Sequence, residues 1–160
     1  MDPVQTVKLC DQWFDSDYNS IARALKDQKD LSYNFLNTVL QQNEPKIIQE
    51  CENSGTVTGY RPSQKYIDLL LQFVEILCHK KYRSKIVDFV SRSYFPIDES
   101  LRICEEKGAQ EASALLYKRN QDYNKSIELY TKVLVDLGTD IVHTLFDVTF
   151  TDMDRSNEHI

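Results

Sequence analysis

Glycine and proline are scarce in this sequence, with four of each among 160 residues. A sandwich or barrel of many short strands needs frequent turns, and these two residues form many of them. Their scarcity therefore favours long helices over short strands. Hydrophobic residues make up 41% of the chain, which is typical of a folded domain and argues against wholesale disorder.

Positive charge is also scarce relative to negative charge, because 19 Lys and Arg stand against 25 Asp and Glu, for a formal net charge of -6. A general nucleic-acid binder needs a dominant basic face, so we expect no nucleic-acid partner. No apolar run approaches the ~20 residues that a membrane-spanning helix needs, and the N-terminus lacks the pattern of a signal peptide. We therefore expect a cytoplasmic protein.

The residues that could bind a metal or act as nucleophiles show none of the spacings typical of metal sites or catalytic motifs. Cys10, Cys51, Cys78 and Cys104 are far apart and form no C-x-x-C pair, so they are predicted to be buried, reduced thiols. His79 is adjacent to Cys78, but neighbours on a helix point about 100° apart and cannot hold one ion together. Phosphate-binding glycine motifs are missing too. We predict no cofactor, no metal site and no enzymatic activity.

Apolar residues recur at helical spacing along almost the whole chain. The pattern predicts an all-α fold of about nine or ten short antiparallel helices joined by short polar turns. Pro45 is expected to open one helix and Gly138 to end another. The segment 62–77 is apolar around most of its circumference, so it is predicted to lie at the centre.

The same pattern divides the chain into a helical-repeat domain at residues 1–150 and a polar tail at residues 151–160. Residues 53–61 are weakly patterned and form a candidate loop break within the domain. Residues 17–21 and 122–127 resemble each other, because each has a polar turn and a tyrosine before a helix. A stack of similar helical hairpins explains that similarity.

The most specific pattern lies in residues 95–130. One predicted helix ends in the residues Cys104-Glu105-Glu106-Lys107-Gly108, the next carries Ala112, Ala114, Leu115 and Leu116, and Tyr123 begins a third. Gly108 can adopt a positive φ at the helix end, and the alanines allow helices to approach closely. Tyr123 is expected to pack over the seam where the third helix begins.

This block resembles the helical repeat of clathrin heavy chain and of the large vacuolar-protein-sorting subunits in the CORVET and HOPS tethering complexes. It departs from that family at Asn120-Gln121, where a glycine is usual, although Asn can also adopt a left-handed conformation. The resemblance implies an α-α superhelix, or solenoid, that acts as a non-catalytic scaffold in vesicle tethering or coat assembly. It also implies protein partners within such a complex, and peripheral association with endosomal or vacuolar membranes through those partners.

A basic cluster at residues 79–85 is the candidate interaction patch, formed by Lys80, Lys81, Arg83 and Lys85. It is either a solvated helix end, where cations are favourable, or a contact for an acidic partner or lipid headgroups. The alternative function is a tetratricopeptide-like adaptor that binds acidic peptides. The sequence has no sustained period of about 34 residues that such repeats show.

Overall fold

The computed structural model describes residues 17–53, 62–92 and 94–157, together with the single residues 4, 5, 8, 9 and 12; the side chains of residues 53 and 145–157 are outside the description. Cys10 and nearly all of the predicted loop at residues 53–61 lie outside the described residues. Within them the protein is all-helical, as predicted, and contains no strand. The helices are α1 (Tyr18–Ala24), α2 (Lys29–Asn53), α3 (Gln64–Leu77), α4 (Ile86–Val90), α5 (Ile97–Glu106), α6 (Gln110–Arg119) and α7 (Tyr123–Asn157), with a 3-10 turn at Arg83–Lys85.

Two aspartates begin the two helices that resemble each other in sequence. Asp17 Oδ1 accepts a hydrogen bond of 3.2 Å from the backbone N–H of Ser20 at the start of α1. Asp122 Oδ1 accepts one of the same length from the N–H of Lys125 at the start of α7. Such caps satisfy backbone donors that have no partner inside the helix. The internal similarity thus corresponds to the same capping geometry.

Helix α2 continues through Pro45, so the predicted helix boundary there is wrong. An interior proline removes one backbone hydrogen bond and typically costs ~3 kcal/mol. The apolar face of α2 nevertheless runs on across the proline: Leu36 and Val39 before it, and Ile47 and Cys51 after it, are all buried in the same core. Packing on both sides of Pro45 therefore keeps the two halves in one helix.

A buried polar contact ties α2 to the segment that follows α4. Arg92 Nη1 lies 2.8 Å from Glu44 Oε1, and the hydroxyl of Tyr94 donates to the same carboxylate oxygen at 2.7 Å. The exposed fraction of Tyr94 is only 5%, and burial raises its pKa to about 12.

Helix α3 lies at the centre of the molecule, as its apolar circumference predicted. It packs against α1, α2, α4 and α5, so it is covered on several sides. Its buried residues are Tyr66, Ile67, Leu69, Leu70, Phe73, Val74 and Leu77. Helices also pack with their next-but-one neighbours in three cases, namely α1 with α3, α3 with α5 and α4 with α6.

Helices α5 and α6 end in the same hydrogen-bonding pattern. After α5, the N–H of Gly108 bonds to Glu105 O at 3.0 Å and that of Ala109 to Cys104 O at 2.8 Å. After α6, Gln121 bonds to Lys118 O at 3.1 Å and Asp122 to Tyr117 O at 2.9 Å. This is the Schellman motif, which needs a left-handed residue. Gly108 takes that conformation with φ 65°, and Gln121 takes it with φ 64°. The left-handed residue of the second turn is thus Gln121 rather than Asn120.

Helix α7 continues through Gly138 to Asn157, so the predicted break at Gly138 is absent. A glycine inside a helix costs only about 1 kcal/mol, which is too little to end a long one. The described residues contain seven α-helices, and the nine or ten predicted for the chain are not confirmed. Helix α7 packs mainly against α6.

Candidate functional site

Three of the four cations in the predicted basic patch contact other groups of the protein. Lys81 Nζ lies 2.6 Å from Asp30 Oδ1, and the hydroxyl of Tyr82 donates to the same carboxylate. These two hydrogen bonds lower the pKa of Asp30 below its usual range. Lys85 Nζ donates to Tyr33 Oη at 2.7 Å and also lies over the Tyr33 ring.

Arg83 connects two helix ends. Its Nη2 donates to Cys78 O at 3.1 Å, just after α3, and to Lys107 O at 3.0 Å, just after α5. Carbonyls at a helix C-terminus have no partner within the helix, so a cation there is doubly favourable. Arg83 is therefore a positioning residue for the junction of α3 and α5. Of the predicted patch, Lys80 alone is exposed with no ion pair or hydrogen bond among the described residues.

Lys80 instead lines a groove that the sequence did not suggest. The groove lies along α3, with α1 and the start of α2 beside it, and its volume is about 710 Å³. Its cationic lining residues are Arg23, Lys26, Lys29, Lys80 and Lys107, and its acidic ones are Asp68 and Glu75. Ala22, Leu71 and Ile76 add apolar surface. We call this cavity the basic groove.

Most of the cations in the basic groove have no ion-pair partner among the described residues. Lys107 Nζ lies 3.2 Å from Glu75 Oε1. Arg23, Lys26, Lys29 and Lys80 form no ion pair with any described residue. The first three recur at every third position, at the end of α1, in the turn after it and at the start of α2. That spacing was the available sequence signal, but nothing in sequence brings Lys80 and Lys107 next to them.

Of the seven residues that carry the pattern in residues 95–130, four are in the core, one is half-buried, and Gly108 and Tyr123 are exposed. Cys104, Ala112, Ala114 and Leu116 are buried, and Leu115 is half-buried. Tyr123, which the sequence predicted to pack over the seam, is 58% exposed, and Ser126 in the next turn of α7 is buried. Lys125 lies over the ring of Tyr117 at the same place, 4.9 Å from its centroid.

Two of the cysteines meet inside the protein. Cys78, after α3, and Cys104, in α5, are both buried, and their thiols share a hydrogen bond. That hydrogen bond and burial raise the pKa of Cys104 above its ordinary value. Burial likewise raises the pKa of Cys51. Cys51 and Cys104 are therefore protonated at neutral pH, and all three described cysteines are free and buried, as predicted.

Helix α7 carries an exposed apolar stripe that no described part of the chain covers. Its members recur at alternating intervals of four and three residues, the spacing of a coiled-coil seam. They are Tyr123, Ile127, Tyr130, Leu134, Leu137 and Ile141. The exposed fraction of Leu134 is 68%, and every side chain at residues 134–144 is exposed. We call these six residues the α7 stripe.

An unfilled cavity lies beside the α7 stripe. Its volume is about 520 Å³, and it is lined by Val133 and Leu137 of α7 and by Ile86 and Ala109 of the preceding helices and turns, among others. Helix α7 therefore leaves space between itself and the rest of the protein where it departs from α6.

Comparison with known proteins gave no match to any family profile, curated protein or solved structure. In the described part of the chain, no cluster of three His, Cys, Asp or Glu residues has a geometry that could hold a metal ion. No described helix combines the length and the hydrophobicity needed to cross a bilayer.

Proposed function

We propose that this protein is a non-catalytic helical scaffold that assembles with a neighbouring subunit through the α7 stripe, in vesicle tethering or coat assembly. The observation that carries the proposal is the stripe itself. It occupies a helix of 35 residues, which at 1.5 Å per residue is about 52 Å long. Along this helix the protein offers an apolar surface that the described residues leave exposed.

The energetics of the α7 stripe support an assembly function. Fully burying one Leu or Ile side chain typically contributes about 1.5–3 kcal/mol relative to leaving it exposed. Leu134, Leu137 and Ile141 are each more than half exposed, so most of that contribution is unrealised in the isolated chain. A partner that covers the α7 stripe buries these side chains, and the complex gains that free energy.

The spacing of the α7 stripe specifies the shape of its partner. Alternation of four and three residues keeps apolar side chains on one side of a helix that packs at a shallow angle against another helix. The cavity beside Leu137 offers room for a second element close to the body. We therefore assign the partner as a helical hairpin of another subunit, with an apolar face of its own.

The proposed arrangement is a short α-α solenoid. In a solenoid each helix packs against its sequence neighbours and against the equivalent helix of the next repeat. The next-but-one contacts of α1 with α3, α3 with α5 and α4 with α6 are of that kind. A solenoid whose last helix lacks a polar outer face tends to add another repeat. Helix α7 fits that description.

The assignment to membrane traffic rests on the resemblance of residues 95–130 to clathrin and vacuolar-protein-sorting repeats. Gly108 and Gln121 are both left-handed, so the two turns of this block share one geometry, which supports the proposal that they are successive turns of a repeat. A scaffold of this type works by shape, so its proposed localisation is the cytosolic face of endosomal or vacuolar membranes, reached through its partners.

Affinity purification of the tagged protein from its source cell tests the proposal. We expect co-purified subunits of a tethering or coat complex with the wild type, and their loss with Leu134→Lys/Leu137→Lys. The matched control is Val135→Lys/Val142→Lys, which changes two exposed apolar residues of α7 that lie outside the stripe. If both double variants lose the co-purified subunits equally, the claim that binding is specific to the α7 stripe is contradicted.

Light scattering of the purified chain separates a partner subunit from a second copy. We expect a monomer, because the proposed partner is a different chain. A dimer that dissociates with Leu134→Lys/Leu137→Lys would assign the stripe to self-association and overturn the partner proposed for it.

A further inference from the structure

We propose that the basic groove binds an acidic, amphipathic peptide segment of another protein. This inference concerns a surface separate from the α7 stripe and does not rest on the scaffold function. It names the ligand class that the adaptor hypothesis requires, but its site is the basic groove, to which Lys80 alone of the predicted patch contributes.

The charge of the basic groove is opposite to that of the protein. Five Lys or Arg residues and two acidic residues line it, whereas the whole chain has a net charge of -6. These cations come from α1, the start of α2, the end of α3 and the end of α5. Only folding brings them together, and they create a local positive potential that attracts an anionic partner.

The unpaired state of four of these cations favours an external partner. Like charges in one concavity repel each other, and an internal carboxylate would remove that cost. Lys107 has such a carboxylate in Glu75, and Arg23 lies within electrostatic reach of Asp17, but Lys26, Lys29 and Lys80 have no ion-pair partner among the described residues. Acidic side chains of a bound peptide can neutralise them and form charge-assisted hydrogen bonds.

The shape of the basic groove favours a peptide over a small anion. The lining residues on α3 extend from Asp68 to Ile76, which at 1.5 Å per residue is about 12 Å, and Cys78, His79 and Lys80 continue the lining beyond the helix. This length suits at least two helical turns of a ligand, and it exceeds the size of a single phosphate. A volume of about 710 Å³ is also within the range of sites that enclose a ligand.

The apolar part of the lining favours a peptide over a lipid surface. Leu71, Ile76 and Ala22 offer contacts that an apolar side chain can fill. A bilayer presents a flat plane of headgroups, which cannot enter a concave site. Asp68 and Glu75 within the lining would also repel anionic headgroups. A segment with leucine-like residues on one face and Asp or Glu beside them matches both parts of the lining.

Selection from a random 12-residue peptide library displayed on phage tests the inference without a known ligand. We expect the full-length chain to enrich peptides that combine acidic and apolar residues. The most enriched peptide, labelled with a fluorophore, is then titrated by anisotropy. Its affinity should fall about tenfold or more in Lys26→Glu/Lys29→Glu, and should weaken as salt is raised.

The matched control is Lys118→Glu/Lys132→Glu, which makes the same change of charge at exposed positions outside the basic groove. The affinity of the labelled peptide for this control variant should stay within about twofold of its affinity for the wild type. Circular dichroism of both double variants checks that they remain helical. The inference is overturned if no acidic peptide is enriched, or if both double variants weaken binding equally. It is also overturned if phosphatidylserine vesicles, but no peptide, bind in a manner that Lys26→Glu/Lys29→Glu abolishes.

Discussion

Helices α3 and α7 both carry apolar residues but have opposite surroundings. Leu70 in α3 is completely buried, whereas Leu134 in α7 is 68% exposed. Four helices cover α3, and α7 packs mainly against one. A helix whose apolar residues are buried by its own chain needs no further partner, whereas one whose apolar residues stay exposed can gain free energy by binding one.

The largest expected difference in stability is between truncation of a leucine in α3 and truncation of a leucine in α7. We expect Leu70→Ala to lower the free energy of unfolding by about 2–5 kcal/mol, because it leaves a cavity in the core. Leu134→Ala should change it by at most about 0.5 kcal/mol, since the side chain is exposed. Urea unfolding followed by circular dichroism measures both. Similar losses at the two positions would mean that α7 is already covered within the chain.

The second largest difference in stability is expected between two cations of residues 79–85, the internally bonded Arg83 and the exposed Lys80. Arg83→Met removes the donors to Cys78 O and Lys107 O and keeps much of the apolar volume, so we expect a loss of about 2 kcal/mol. Lys80→Met, which removes an exposed cation of the basic groove, should cost less than about 0.5 kcal/mol. The comparison uses the same unfolding assay. An inert Arg83→Met would contradict its positioning role.

The two left-handed helix ends allow a smaller and more exact test. Gln121→Gly should stabilise the protein by about 0.5–1 kcal/mol, because glycine adopts φ 64° without the strain of a side chain. Gly108→Ala should destabilise it by about 1–2 kcal/mol for the converse reason. Asn120→Gly is the control for Gln121→Gly, because Asn120 has φ -81°. Thermal unfolding measures all three, and a stabilising Asn120→Gly would show that the effect is not conformational.

The smallest effect at neutral pH concerns Tyr94. Its pKa is about 12 in the folded protein, above the value near 10 of an unfolded chain. The folded state therefore holds the proton more tightly, and stability is retained below pH 10 and lost between about pH 10 and pH 12. Tyr94→Phe should flatten this part of the pH profile, and Tyr130→Phe on α7 controls for loss of a hydroxyl. An unchanged slope in Tyr94→Phe would contradict the assignment.

Helical periodicity predicted the all-α class and the central position of α3, because both follow from local pattern and total apolar surface. It failed at Pro45 and Gly138, where packing on both sides of the proline and the low cost of one glycine keep each helix continuous. The basic groove could not be predicted, because Lys80 and Lys107 join Arg23 and Lys26 only when α3 and α5 pack. Similarly, the exposed side of α7 depends on which residues α6 covers.

Site-specific photocrosslinking in the source cell tests the central claim most directly. A photoreactive phenylalanine analogue at Leu137, in the α7 stripe, should form an adduct with a helical segment of another subunit, and the same analogue at Val142 should give little or none. Adducts of equal yield at both positions, or no adduct at Leu137, would contradict the claim that α7 is a docking surface.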